Sequence, residues 1–223
     1  MFVTSNEFSA IRKYYSEQLN ELYSPSELKI ILKYLFLKRF DGSASDYLLA
    51  DDKRLSESDL LFFHDALKRL RSNEPFQYVL GEVEFYGLLL KCDQRALIPR
   101  PETEELVDWI LNELEGKGSR TLNTGVIELV EMPKQRNEEI SILDICSGSG
   151  CIALALKSRL PGSNVIAWEF SGDAISLIKE NSVFTGLEIS LIHADALTDS
   201  YSELMPGPVD VVVSNPPYIP YKD

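Results

Sequence analysis

Apolar positions in the first seventy or so residues fall at helical spacing. Leu28, Ile31, Leu32, Leu35 and Phe36 occupy i, i+3, i+4, i+7 and i+8, which is one face of an amphipathic helix. Ser24-Pro25-Ser26-Glu27 marks its start. A serine can accept the free first-turn N–H groups, proline suits the first helical position, and a glutamate three residues after the serine completes a capping box. Ser56 with Asp59 starts another helix, whose Leu60, Phe63, Ala66, Leu67 and Leu70 again trace one face. Residues 1–72 are therefore predicted to be a small helical bundle, without residues patterned for catalysis. From Tyr78 to Cys92 the texture changes to Val, Phe, Tyr and Leu broken by Gly81 and Gly87. That pattern predicts a strand pair, a β-hairpin inside a linker over residues 73–100.

Pro99-Arg100-Pro101 stiffens the chain ahead of a predicted helix over residues 102–115, with Leu106, Val107, Ile110, Leu111 and Leu114 inward. Gly116 and Gly118 are its stop signals. Residues 116–139 are polar and charged around one short apolar run, and are expected to be a mobile surface insertion. Beyond them, strands are predicted near 140–145, 165–168, 189–193 and 209–214, with helices between the first three. Strands alternating with helices imply right-handed crossovers, a parallel sheet, and ligands at the carboxyl ends of its strands. The expected organisation is thus a bundle, a hairpin linker and an α/β domain over residues 101–223.

Composition narrows the class. At 223 residues and 44% hydrophobic, the chain can bury a sizeable core in one or two domains. It has no apolar run approaching the roughly 20 residues of a membrane helix, and its N-terminus lacks a secretory signal, so a cytoplasmic location is expected. Cys92, Cys146 and Cys151 have neither metal-ligand spacing nor a paired framework; they read as small, partly buried thiols in a reducing compartment, with no metal site. The net charge of -13 is uneven: residues 1–95 carry 13 basic and 15 acidic side chains, residues 96–223 carry 9 and 20. A phosphate backbone needs a basic face, which the second half does not offer; a protein or small-molecule substrate is expected, and no direct nucleic-acid or membrane partner.

Three motifs lie at the predicted strand ends. In Asp144-Ile145-Cys146-Ser147-Gly148-Ser149-Gly150 a strand runs through small residues into a helix. Such a turn lets a ligand approach the backbone, while the helix start offers unpaired N–H groups and partial positive charge; it is also a common tight turn. Glu169 closes the next strand some two dozen residues on, where a carboxylate can accept both ribose hydroxyls. Asp195, in His193-Ala194-Asp195-Ala196, can accept from an adenine amino group or cap a turn. The most specific motif is Asn215-Pro216-Pro217-Tyr218, directly after an apolar strand. Two prolines fix the backbone and remove its N–H groups, leaving the Asn215 side-chain oxygen and the Pro216 carbonyl as acceptors beside the Tyr218 ring. This arrangement suits a planar NH2 group conjugated to a carbonyl or a ring. Methyl transfer to such a nitrogen depends on positioning and on stabilising the developing charge.

With Pro75-Phe76-Gln77-Tyr78-Val79-Leu80-Gly81, Glu84-Phe85, Leu97-Ile98-Pro99-Arg100-Pro101-Glu102-Thr103-Glu104, residues 144–156 and Asn215-Pro216-Pro217-Tyr218-Ile219, the chain resembles the HemK/PrmC family over nearly its whole length. These are glutamine N5-methyltransferases of peptide-chain release factors, and the Pro-Arg-Pro-Glu-Thr-Glu block separates them from other enzymes with the Asn-Pro-Pro-Tyr motif. The resemblance implies a Rossmann-like class I methyltransferase sheet and S-adenosylmethionine as cofactor, giving S-adenosylhomocysteine. It implies a class 1 release factor as partner, held in part by the N-terminal domain, with the glutamine of its Gly-Gly-Gln loop as substrate. By motif, Cys146, Ser147, Gly148, Ser149, Gly150, Glu169, Asp195, Ala196 and Asn215 would line the cofactor site. Asn215, Pro216, Pro217 and Tyr218 would hold the glutamine, with Asn215, Pro216 and Tyr218 catalytic.

Three departures stand out. Cys146 replaces the family's first glycine of the turn, residues 116–139 are an insertion, and only four of the usual seven strands are visible before Asp223. The sequence is therefore expected to be part of a longer protein, with the strand at 209–214 an exposed edge despite its apolar run. Competing readings keep the chemistry and change the substrate, to a glutamine of a ribosomal protein or to adenine N6 in a nucleic acid, which calls for basic surface and a recognition region. A non-catalytic binding module is the reading of another class, supported by Cys146 and the missing strands.

Overall fold

Two serines set the starts of the longest N-terminal helices, as their spacing predicts. In the computed structural model, which describes residues 5–116, 128–129, 140–197, 204–205 and 207–216, the chain divides into two units at Gly81. The first contains α1 (Phe8–Leu19), α2 (Pro25–Phe40), α3 (Ala44–Leu48), α4 (Glu57–Arg71) and α5 (Phe76–Leu80). Ser24 accepts from the Glu27 N–H and Glu27 Oε2 accepts from the Ser24 N–H at 2.7 Å; Ser56 and Asp59 repeat this reciprocal cap on α4. Asp59 also accepts from Arg39 Nε at 2.7 Å, so one carboxylate caps α4 and ties it to α2. Phe8, Phe36, Tyr47 and Phe63 meet in the core as tilted or edge-on pairs, with Phe8 and Phe36 centroids 4.9 Å apart. The buried Tyr15 hydroxyl donates to the Phe63 carbonyl at 2.6 Å.

Residues 78–80, expected to begin a strand, instead close the short helix α5. Donors that reach its last carbonyls explain the difference. Arg69 donates to the Tyr78 and Val79 carbonyls, Lys38 donates to the Leu80 carbonyl, and Gly81 takes the left-handed conformation (φ 75°) that ends the helix. These donors come from α2 and α4, and their placement cannot be read from local sequence.

The second unit opens with a hairpin, β1 (Glu82–Phe85) and β2 (Leu88–Lys91), joined through Tyr86 and Gly87. Both turn residues have positive φ (51° and 77°), the conformation that matches the twist of a two-residue hairpin. Phe85 and Leu90 are fully buried in one core with α6 (Pro101–Leu114), so the hairpin is integral to this unit. The sheet follows: β3 (Glu128–Leu129), β4 (Ser141–Ile145), α7 (Cys151–Arg159), β5 (Asn164–Glu169), α8 (Gly172–Thr185), β6 (Ser190–His193) and β7 (Val211–Ser214). Its order is β3-β7-β4-β5-β6; β4 to β7 are mutually parallel where they pair, and β3 runs antiparallel to β7. Ile142, Val165, Ala167, Val211 and Val213 face α6, α7 and α8, while Leu143, Ile166 and Trp168 face the other side.

Strand β7 was expected at an open edge, and this is corrected. It is held between β4 and Glu128–Leu129 of the insertion, and Val211 and Val213 are fully buried. An apolar run reads as an interior strand because both its faces are covered. The remainder of the insertion, 117–127 and 130–139, lies outside the described residues. Among those described, no helix is long and apolar enough to cross a membrane.

Ser56→Ala is expected to lower the stability of the first unit by about 1 kcal/mol, because the Asp59 N–H loses its acceptor. Urea unfolding of wild type and variant, followed by far-ultraviolet circular dichroism, checks it.

Candidate active site

Parallel strands deliver their carboxyl ends to one rim of the sheet, and there the described ones among the predicted residues lie. In the order of the strands, Asn215 follows β7, the turn from Cys146 to Gly150 follows β4, Glu169 ends β5, and Asp195 and Ala196 follow β6. Register makes these true neighbours: Ile145 pairs with Ser214, Ile145 also with Trp168, and Glu169 with His193. Four strands span three spacings, roughly 14 Å, the scale of an extended nucleoside with an amino-acid tail.

The turn is built on three left-handed residues, Cys146 (φ 59°), Gly148 (φ 57°) and Gly150 (φ 78°). Gly150 is required twice over, since a Cβ there would stand 3.1 Å from Ile178 Cγ2. A Cβ on Gly148 would meet nothing nearer than Ala96 Cβ at 3.9 Å, so that glycine opens onto space a ligand could use. Cys146 carries a side chain where the backbone favours glycine, and its half-buried thiol is held neutral by burial and by Glu169. Ser147 and Ser149 are buried; Ser147 Oγ donates to the Asp144 carbonyl at 2.6 Å and so closes the turn.

Glu169 accepts three backbone N–H groups, from Gly148 at 2.8 Å, Phe170 at 2.9 Å and Ser171 at 2.8 Å. A carboxylate has about four acceptor positions. Oε1 already takes two of these donors and Oε2 one, so accepting both hydroxyls of a ribose requires one of the three to be released. Asp195 Oδ1 accepts from the Leu197 N–H at 2.9 Å, the turn-capping role. Ala194 is buried and its carbonyl accepts from Trp168 Nε1, fixing the segment, while Ala196 is exposed. Asn215 and Pro216 are half-buried at the end of β7, and Asn215 Nδ2 donates to Thr103 Oγ1 at 3.2 Å. Pro217 and Tyr218 lie outside the described residues.

Three side chains that shape this rim have no role in the sequence reading, although Asp144 and Thr103 lie within its motifs. Asn181 is fully buried on α8: its Oδ1 accepts from the Lys91 N–H, and its Nδ2 donates to the Lys91 and Ser149 carbonyls, clamping β2 to the glycine turn. A polar residue three positions after Ile178 on the inward stripe of α8 was its signal. Thr103 is the second, buried in the first turn of α6. Asp144 is the third and is wholly buried: Oδ2 accepts from the Ala153 N–H at 3.3 Å, Oδ1 has no partner among the described residues, and burial pushes its carboxyl up to about 7.

A parallel sheet with a left-handed glycine turn and acceptors at one rim is Rossmann-like. Residues 118–222 match the family model of the methyltransferase small domain and residues 10–81 that of the PrmC N-terminal domain. The release factor glutamine methyltransferase of Streptococcus pneumoniae is 34% identical over 92% of this chain and 68% of its own length. Those of Flavobacterium psychrophilum (33%, 93% and 66%) and Chlorobaculum tepidum (37%, 77% and 54%) are similar. The chain belongs to the release factor glutamine methyltransferase family. It spans between about half and two thirds of the length of these relatives. Among solved structures, the N-terminal domain of human METTL16 in complex with SAH aligns over 86% of this chain and 67% of its own at 17% identity, with a TM-score of 0.45.

Because the Asp144 carboxyl sits near 7 in the fold against an ordinary 3.8, the folded chain binds more protons than the unfolded one between those values. Its contribution to stability is intact below about pH 4 and lost as pH rises through about 7. Asp144→Asn keeps an acceptor for the Ala153 N–H and cannot ionise. Its stability is expected to rise relative to wild type between about pH 5 and about pH 8 in urea denaturation; a pH-independent difference contradicts the assignment.

Proposed function

We propose that this protein transfers a methyl group from S-adenosylmethionine to the side-chain amide nitrogen of the glutamine in the Gly-Gly-Gln loop of class 1 peptide-chain release factors. The observation that carries the reading is the register of β4 with β7, in which Ile145 pairs with Ser214 and so sets Asn215 beside the glycine turn. A fit to the cofactor is supported by the open space over Gly148 and by the acceptors that end β5 and follow β6. Cys146 to Gly150, Glu169, Asp195, Ala196 and Asn215 would hold S-adenosylmethionine, whose contribution when bound is a methyl group on a sulfonium.

The chain's own work is to hold and aim the amide. An amide nitrogen is a weak nucleophile whose lone pair is shared with its carbonyl. The Asn215 side-chain oxygen and the Pro216 carbonyl accept its two hydrogens, which fixes the nitrogen and stabilises positive charge developing on it. Pro217, being a proline, has no N–H to compete, and the sequence motif assigns the Tyr218 ring to the substrate amide. The helical first unit, matched by the PrmC N-terminal model, holds the release factor in this reading. A translation factor as substrate puts the reaction in the cytoplasm. The acidic second half, 9 basic against 20 acidic side chains over residues 96–223, disfavours a nucleic-acid substrate.

The test is incubation of purified release factor with the full-length protein and S-adenosylmethionine, with mass spectrometry locating any added methyl. The expected product carries one methyl on the Gly-Gly-Gln glutamine, and Asn215→Ala is expected to lower the rate about 100-fold or more. Cofactor binding without transfer to that glutamine contradicts the reading and points to a ribosomal protein as the next substrate.

A further inference from the structure

We infer that Thr103 is a positioning residue for Asn215: it selects which end of the Asn215 side-chain amide faces the substrate. This rests on the glutamine reading above. A primary amide has two ends of nearly equal shape and opposite function, a carbonyl that accepts and an NH2 that donates twice. If Asn215 turns its NH2 toward a glutamine amide, donor meets donor and neither is satisfied. Its carbonyl must face the substrate for the site to work, so something must occupy the NH2.

Thr103 does so. It is 8% exposed, and its Oγ1 lies 3.2 Å from Asn215 Nδ2, a contact between residues 112 positions apart in the chain. With the hydroxyl oxygen as acceptor, the Asn215 NH2 is turned toward α6 and its carbonyl away from it. The first turn of α6 is itself secured. Pro101 starts the helix, Glu104 Oε1 accepts the Tyr86 N–H at 2.8 Å, and the Tyr86 hydroxyl donates to Asp108 Oδ1 at 2.5 Å. Arg159 on α7 lies 4.9 Å over the Tyr86 ring. Tyr86 holds a left-handed conformation (φ 51°) that a bulky residue adopts only when its surroundings compensate, and these contacts do that. The hairpin turn thus anchors the helix turn, and the helix turn presents Thr103 to Asn215. This gives the Pro101-Glu102-Thr103-Glu104 block a physical task without any contact to substrate.

The experiment compares wild type, Thr103→Val and Thr103→Ser in the full-length protein, with release factor and S-adenosylmethionine. Valine matches the shape of threonine and removes the acceptor, whereas serine keeps it. Thr103→Val is expected to lower kcat at least tenfold, leaving KM for release factor, S-adenosylhomocysteine affinity and thermal midpoint near wild type; Thr103→Ser is expected to recover most of the rate. Wild-type kcat in Thr103→Val, a parallel loss of cofactor affinity, or equal impairment of both variants overturns the proposal. The side-chain NH2 resonances of Asn215, read by nitrogen-15 NMR, separate this from failure of the glutamine reading. If wild type does not methylate glutamine, that reading falls, yet a shift of those resonances in Thr103→Val and not in Thr103→Ser still upholds the Thr103–Asn215 bond. Unchanged resonances in both variants overturn it.

Discussion

Parallel pairing of β4 with β7 on one side and β5 on the other is the constraint on which the second unit depends. Parallel ladders run all their strands to one rim, and among the described residues that rim collects the glycine turn, Glu169, Asp195, Ala196 and Asn215. A slip of one residue between β4 and β7 would turn Val211 and Val213 from the core to the other face and carry Asn215 away from the glycine turn. Register is therefore fixed by burial, and the chemistry inherits its geometry from the core. Asp210 adds a polar lock at the opposite end, accepting the Ser141 N–H on its carboxylate and donating its own N–H to the Ser141 carbonyl.

Around that frame, single buried or half-buried side chains hold backbone segments that would otherwise be soft. Asn181 joins β2 and the glycine turn to α8, Glu169 spans from the turn to the start of α8, and Tyr86 fastens the hairpin to α6. Each satisfies backbone or amide groups that are costly to bury unpaired. The local strain at Cys146 and Tyr86 is maintained by such surroundings. Precision at the rim thus comes from positions outside the cofactor motif as well as from the motif itself.

Much of this was legible in the sequence, for identifiable reasons. The caps at Ser24 and Ser56, the apolar stripes they open, and the four parallel strands all follow from local spacing. So do the positions of the glycine turn, Glu169, Asp195 and Asn215 at strand ends. What stayed hidden depends on partners distant in sequence. Residues 78–80 fold as helix because Arg69 and Lys38 supply donors, and β7 gains a neighbour from an insertion that reads as polar loop. Thr103 sat within a block that marks the family, and the amide it faces lies far along the chain.

The most direct test of the account is a crystal structure of the full-length protein with S-adenosylhomocysteine and a peptide bearing Gly-Gly-Gln. The glutamine amide nitrogen is expected within hydrogen-bond reach of the Asn215 side-chain oxygen and the Pro216 carbonyl, at the rim shared by β4 and β7, facing the cofactor sulfur. A glutamine bound elsewhere, or an Asn215 whose NH2 faces it, would contradict the account.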